Sequence, residues 1–212
     1  MRLGIFGGTF DPVHYGHLLL AESCREQLRL DQVWFLPAAV PPHKQERTLA
    51  PAVERAEMLE LAIGGHEAFA VCRHEIERGG VNYTADTLAR IQAEGPAREL
   101  FFLMGADSLR DLPSWKNPRQ ICELATPVMV CRGELGGELG PAASAGESFD
   151  WSRLETILSA ERLRDIRNHQ VHMPRVDLSS SEIRVRVAAG ESIRFRTPRA
   201  VEKYIESHGL YR

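Results

Sequence analysis

The chain has 212 residues, 43% of them hydrophobic and 26% charged, with a formal net charge of −3. That length and composition suit one well-cored globular α/β domain. Lys and Arg are spread along a slightly acidic chain, which argues against nucleic acid or an anionic membrane as the main partner and leaves room for a small anionic ligand.

No apolar run is long enough to cross a bilayer. The start MRLGIFGGTF runs from a short apolar stretch straight into glycines, unlike a signal peptide, so a cytoplasmic protein is expected. Cys24, Cys72, Cys122 and Cys131 form no CxxC pair and sit in apolar or helical contexts. They read as buried free thiols rather than disulfides or zinc ligands.

In chain order, RLGIFG (2–7) is an apolar run that suits a buried central strand. After the turn GGTFDPVHYG, a helix is expected over 17–28, with Leu20, Ala21, Cys24 and Leu28 on one face. VWFLPA (33–38) is a second strand, stopped by the loop PPHKQER. A helix over 53–63 and a strand over 69–73 follow. TADTLARIQAEG reads as a helix with Thr84 as N-cap and Gly95 just past its end. ELFFLMGAD is a strongly buried strand, 118–125 a helix and PVMVC (127–131) a strand. Gly133 to Phe149 is rich in Gly, Ala and Ser with little to bury, and reads as a mobile surface loop. A helix over 152–163, a strand over 170–173 and two more helices complete the pattern. The last has Thr197 as N-cap, Pro198 at its first position and Gly209 after its end. Alternating strands and helices predict a single domain over 1–212: a Rossmann-like, doubly wound parallel sheet with helices on both faces and a C-terminal helical portion. Ligands bind such folds at the carboxyl ends of the strands, where GGTFDPVHYGH and GADSL lie.

GGTFDPVHYGH (7–17) carries the most chemistry. Glycines after a buried strand let the backbone approach a ligand. His14 and His17 are three residues apart with Gly16 between them, where a bulky side chain would fill the space. Two imidazoles beside the N–H groups of a starting helix make a phosphate site. The rivals are a capped turn bearing two surface histidines and a metal site, for which no third ligand is close. In SSSEIR (179–184), Ser179 or Ser180 would cap a helix and Arg184 sits one turn in, a second place for an anion. The five arginines between 184 and 199 read as a solvated surface. Neither a Walker A GxxxxGK[ST] nor a GxGxxG fingerprint is present.

GxFDPxHxGH resembles the signature of the HxGH nucleotidyltransferase superfamily, and GGTFDPVHYGH resembles its nicotinate mononucleotide adenylyltransferase branch. PPHK (41–44), VNYTADTL (81–88), GADSLRDLPSWK (105–116), SSSEIR and PRAVEKYIESHGLY match that family's pattern in order and span nearly the whole chain. The family has Thr where this chain has Ser181, which keeps the hydroxyl. The resemblance implies that Gly7, Gly8, Thr9, Phe10, His14, His17, Ser180, Ser181 and Arg184 lie against ATP. It places Gly105 and Asp107 at the adenosine, with Asp107 accepting from ribose hydroxyls. Lys44 would touch a phosphate, Trp115 would stack on the pyridine ring, and backbone near Tyr83 and Thr84 would read the nicotinate carboxylate.

The expected reaction is adenylyl transfer from ATP to nicotinate mononucleotide, giving nicotinate adenine dinucleotide and pyrophosphate. A nucleotide phosphate has a second pKa of about 6 and attacks as a dianion without a general base. His14, His17, Lys44 and Arg184 would neutralise the phosphate chain, and Thr9 would orient the α-phosphate. Mg²⁺ is expected, held mainly by the triphosphate and water because no carboxylate cluster would cage it. Other readings are the same chemistry on nicotinamide mononucleotide or phosphopantetheine, a catalytically silent nucleotide sensor, and a zinc protein using His14, His17, His169 and His172. Self-association as a homo-oligomer is compatible with all of them.

Overall fold

The computed structural model describes residues 1–40, 49–133 and 149–212, with only the backbone of Arg132. Fifteen residues of the expected surface loop, 134–148, and the PPHK segment lie outside the described residues.

The apolar run at the start forms β1 (Arg2–Gly8), in which Leu3, Ile5 and Phe6 are buried. Its parallel neighbour is β4 (Glu99–Gly105), in register from Arg2 opposite Glu99 to Phe6 opposite Leu103. β4 in turn pairs with β5 (Ala125–Arg132), and β5 with β6 (Gln170–Met173), both in parallel. With β2 (Gln32–Pro37) and β3 (Phe69–Val71) the six strands run in the order β3-β2-β1-β4-β5-β6. The strands read as continuous apolar runs because both faces of a parallel sheet are covered. Gly4 permits that packing: a Cβ there would stand 2.8 Å from Leu30 Cδ1 and 3.3 Å from atoms of Leu103 and Val33.

The chain builds outward from β1 to β3, then returns to β4 on the other side of β1. With right-handed crossovers, that reversal puts connecting helices on opposite faces and makes β1/β4 the switch point of the sheet. The architecture is the Rossmann-like one expected.

The described chain forms two compact units. One comprises Met1–Phe6, Leu20–Val33 and Tyr83–Arg175. Its core is Leu100 to Met104 with Val128 to Val130, Ile166 and Val171. Here Arg162, on α8 (Ala160–Asn168), donates to the carbonyls of Cys122 and Ala125 and to Thr126 Oγ1. The other comprises Gly7–Leu19, Trp34–Asn82 and Val176–Arg212. It is built on α2 (Ala52–Ile63) packed against α10 (Arg199–His208), with Phe35, Met58, Leu59, Val201 and Ile205 buried. The remaining helices are α1 (Tyr15–Gln27), α3 (His74–Arg78), α4 (Thr84–Glu94), α5 (Ala106–Asp111), α6 (Pro118–Leu124), α7 (Ser152–Glu155) and α9 (Ser180–Ala188).

Several elements differ from expectation, some for a plain local reason. The helix expected over 152–163 is two, α7 and α8, because the Ser159 hydroxyl accepts from the Arg162 N–H and starts a new helix. α3 is a short turn of helix closed by Gly79 at φ 70°. Thr84 is the first residue of α4, and Tyr83, with extended backbone, occupies the N-cap position. Thr197 does not cap α10, which starts at Arg199 behind Pro198. The buried Thr197 hydroxyl donates instead to the Val13 carbonyl at 2.7 Å, a tertiary bond that outcompetes the local cap.

All four cysteines are free and buried. Burial pushes the Cys24 thiol up to about 12 and Cys122 up to about 11. An unfolded thiol ionises from about 9 upward, while these folded ones keep their protons, so unfolding in that range releases protons. Folding stability is therefore expected to fall as pH rises from about 9 towards about 12, measured by urea titration. At pH 8 the native thiols should resist an alkylating reagent that labels the unfolded chain fully.

Candidate active site

The loop that follows β1 is shaped from beneath by Phe10. Its backbone is left-handed, with φ 50°, and its buried ring meets His17 edge-on at 5.1 Å and Phe35 at 5.8 Å. Gly8 allows this, since a Cβ there would lie 2.8 Å from the Phe10 ring.

α1 begins at Tyr15, two residues earlier than the sequence pattern indicates, so His17 sits in the first turn rather than at its mouth. Its Nδ1 accepts the His14 backbone N–H at 3.2 Å, the reach-back of a capping box made by an imidazole. Neutral His17 then carries its proton on Nε2, the nitrogen able to donate. The two rings stack with centroids 3.7 Å apart and planes 23° apart. Gly16 is needed for this: a Cβ would stand 3.1 Å from two atoms of the His14 ring.

α9 is fastened to the same loop. Ser179 caps it by accepting from the Glu182 N–H, and Ser180 Oγ donates to the Pro12 carbonyl at 2.9 Å. Arg184 donates through Nη1 to the Asp11 carbonyl at 2.7 Å and through Nη2 to Ser181 Oγ at 3.2 Å. His14, His17, Ser180, Ser181 and Arg184 therefore belong to one hydrogen-bonded assembly within one compact unit. Gly7, Gly8 and Thr9 lead into it.

Three residues that pattern reading did not assign hold this assembly together. Arg55 is 1% exposed, and its guanidinium donates to the carbonyls of Ala50 (3.0 Å), Thr9 (2.7 Å), Ala38 (2.7 Å) and Ala39 (3.2 Å). Burial lowers its pKa, opposed by the charge of Asp11. Asp11 is equally buried; its Oδ1 accepts from the Ala50 N–H at 3.2 Å and the Tyr211 hydroxyl at 2.7 Å. Its Oδ2 lies 3.6 Å from Arg184 Nη1. The available signal was Arg55 itself, a lone cation on the helix face that carries Met58 and Leu59.

The remaining described candidates fall in the other unit. Gly105 ends β4, and nothing lies within 4 Å of where its Cβ would be. Asp107 is in the first turn of α5, exposed, and paired with Arg110 at 2.9 Å rather than capping the helix. Trp115 is half-buried, edge-on to Phe102 at 6.1 Å. Tyr83 is exposed, with Lys116 Nζ 4.0 Å above its ring; Lys116 also pairs with Asp86 at 3.3 Å. Thr84 follows Tyr83 at the start of α4, and Lys116 directly follows Trp115 in the chain. Lys44 lies outside the described residues.

A parallel α/β sheet with paired imidazoles and a helix-borne arginine clamped around a glycine loop defines a nucleotidyltransferase-type site. Residues 5–186 match the cytidylyltransferase-like family model. A probable nicotinate-nucleotide adenylyltransferase of Thermomicrobium roseum is 44% identical over 211 residues, covering 100% of this chain and 92% of the relative. One from Thermus thermophilus is 42% identical over 212 residues, covering both chains in full. The chain belongs to the cytidylyltransferase-like family and, within it, to the nicotinate-nucleotide adenylyltransferases. In fold it is similar to the Plasmodium falciparum nicotinic acid mononucleotide adenylyltransferase complexed with NaAD. That match has a TM-score of 0.71 and 16% identity, over 99% of this chain and 97% of that one.

Two substitutions separate scaffold from chemistry. Arg55→Ala strands four carbonyls and the Asp11 charge, and is expected to cost roughly 3–5 kcal/mol in chemical denaturation. Gly16→Ala presses on the His14 ring and should lower turnover about tenfold or more, with a much smaller change in melting temperature.

Proposed function

We propose that this chain transfers the adenylyl group of ATP to nicotinate mononucleotide, releasing pyrophosphate and forming nicotinate adenine dinucleotide. The observation that carries the reading is the stacked His14–His17 pair in the first turn of α1, fastened through Asp11 and Pro12 to the Arg184-bearing start of α9. Imidazole N–H, guanidinium, hydroxyl and helix N–H donors aimed from one loop suit a triphosphate better than a bare cation. We read residues 1–212 as one functional domain.

The acceptor phosphate is its own nucleophile, being mostly dianionic at neutral pH with a second pKa of about 6. No nucleophile–base dyad is required. The chain's task is to hold that phosphate in line with the α-phosphorus and to neutralise charge moving onto pyrophosphate. We assign His17 Nε2, His14 and Arg184 to that neutralisation, with Lys44 as a fourth cation. Gly7, Gly8, Thr9 and Phe10 contribute backbone or hydroxyl contacts to ATP, and Ser180 and Ser181 the start of α9. Gly105 and Asp107 receive the adenosine. The acceptor's pyridine ring is assigned to Trp115, and its carboxylate to the backbone around Tyr83 and Thr84, where a helix start favours an anion.

Among the described residues, no group of three or more His, Cys, Asp or Glu could hold a metal ion. The divalent ion this chemistry uses is assigned as Mg²⁺ carried by phosphate and water, where it would supply charge neutralisation on the polyphosphate. The described part also contains no helix long and apolar enough to cross a membrane.

Pyrophosphate release is measured with ATP and Mg²⁺, offering nicotinate mononucleotide, nicotinamide mononucleotide and phosphopantetheine in parallel. Strong turnover on the nicotinate compound is expected. Turnover on another acceptor alone would overturn the acceptor assignment, and none on any while ATP still binds would overturn the enzyme assignment. His17→Ala should lower kcat by about 100-fold or more while changing ATP affinity little. Equal losses in both would remove His17 from the transition state.

A further inference from the structure

We propose that Tyr211 is a positioning residue for Arg184, acting through the buried carboxylate of Asp11. The inference rests on the assignment of Arg184 to the ATP phosphates.

The chain after α10 is bent to deliver this side chain. Gly209 is left-handed at φ 64°, and both it and Leu210 donate to the Ile205 carbonyl. Tyr211 then adopts φ 63°, a conformation a non-glycine residue rarely takes. Its hydroxyl reaches Asp11 Oδ1 at 2.7 Å across 200 residues of sequence. At the other end of the contact, Phe10, immediately before Asp11, is also left-handed. Among the described residues, two of the five non-glycine positions with positive φ thus flank one hydrogen bond. Burial and the Asp11 charge push the Tyr211 hydroxyl far above its ordinary range, so it remains a donor.

The geometry of Asp11 gives this bond a consequence. Oδ1 is saturated by the Tyr211 hydroxyl and the Ala50 N–H. That fixes the carboxylate plane and leaves Oδ2, buried and without a hydrogen bond of its own, 3.6 Å from Arg184 Nη1. Arg184 meanwhile bonds the Asp11 main-chain carbonyl. The guanidinium is attracted to the carboxylate and held off it. If the Tyr211 hydroxyl is removed, the carboxylate is released to turn and form the paired N–H···O bonds that arginine and carboxylate prefer. Arg184 would then be drawn back onto Asp11 and away from the phosphates.

The test is a double-mutant cycle with Tyr211→Phe, Arg184→Ala and the combined variant, reading kcat, KM for ATP and melting temperature. Tyr211→Phe is expected to lower kcat by about 10- to 100-fold, as small misplacements of a charge-stabilising group do, while the lost bond to the buried carboxylate lowers the melting temperature by several degrees. With Arg184 already removed, the same change should cost less than about twofold, because its effect passes through Arg184. Losses that multiply in the combined variant would overturn the inference while leaving Arg184 in its role. An Arg184→Ala enzyme with full kcat would overturn the assignment of Arg184, and the inference with it. If Tyr211→Phe does not fold, fluorotyrosine at position 211 carries the same test: kcat should shift with fluorination when Arg184 is present and stay constant when it is absent.

Discussion

The architecture of the site depends on one buried positive charge. Arg55, on α2, gathers the carbonyls of Thr9, Ala38, Ala39 and Ala50 around a single guanidinium. These carbonyls belong to irregular backbone, where no ladder or helix is present to satisfy them, and buried backbone oxygens without partners are costly. A planar group with five donors solves several such problems at once. Asp11 offsets the charge nearby, and through its backbone, its carboxylate and Tyr211 it couples the loop after β1 to α9 and α10. The loop that bears the histidines is therefore fixed by electrostatics and hydrogen bonds rather than by its own sequence preference.

That scaffold also orients the side chains of the loop and of α9. His17 is oriented by accepting the His14 N–H, and His14 by stacking on His17. Arg184 is oriented by Asp11 and Ser181. Groups held in this way need little reorganisation when charge develops on a phosphate, which is where preorganised sites gain most of their rate. The reaction asks for no proton to be removed from the nucleophile, so an arrangement of donors and cations is chemically sufficient.

The unit that holds Tyr83, Lys116 and Trp115 presents a different kind of surface. A half-buried indole, a phenol ring capped by an ammonium group and the start of α4 combine apolar surface with backbone donors. Tyr83 and Lys116 set an aromatic face and a cation side by side. Lys116 drew no attention in the sequence because a loop lysine has no signature; its meaning comes from standing over Tyr83.

Much was legible from residues alone. The buried strands were visible because a parallel sheet demands continuous apolar runs, and the parallel α/β class follows from their alternation with helices. The glycine between two histidines, and the serines before Glu182 and Arg184, announced local geometries that depend on nearest neighbours. What sequence could not decide was which polar groups would meet across as many as 200 positions. The Thr197 hydroxyl chose Val13 over its own helix, Arg55 chose four loop carbonyls over solvent, and Tyr211 chose Asp11. Local capping and hydrophobic period are encoded within a few residues of one another. The partners of buried charges are settled only when the chain has folded and water has been removed from around them.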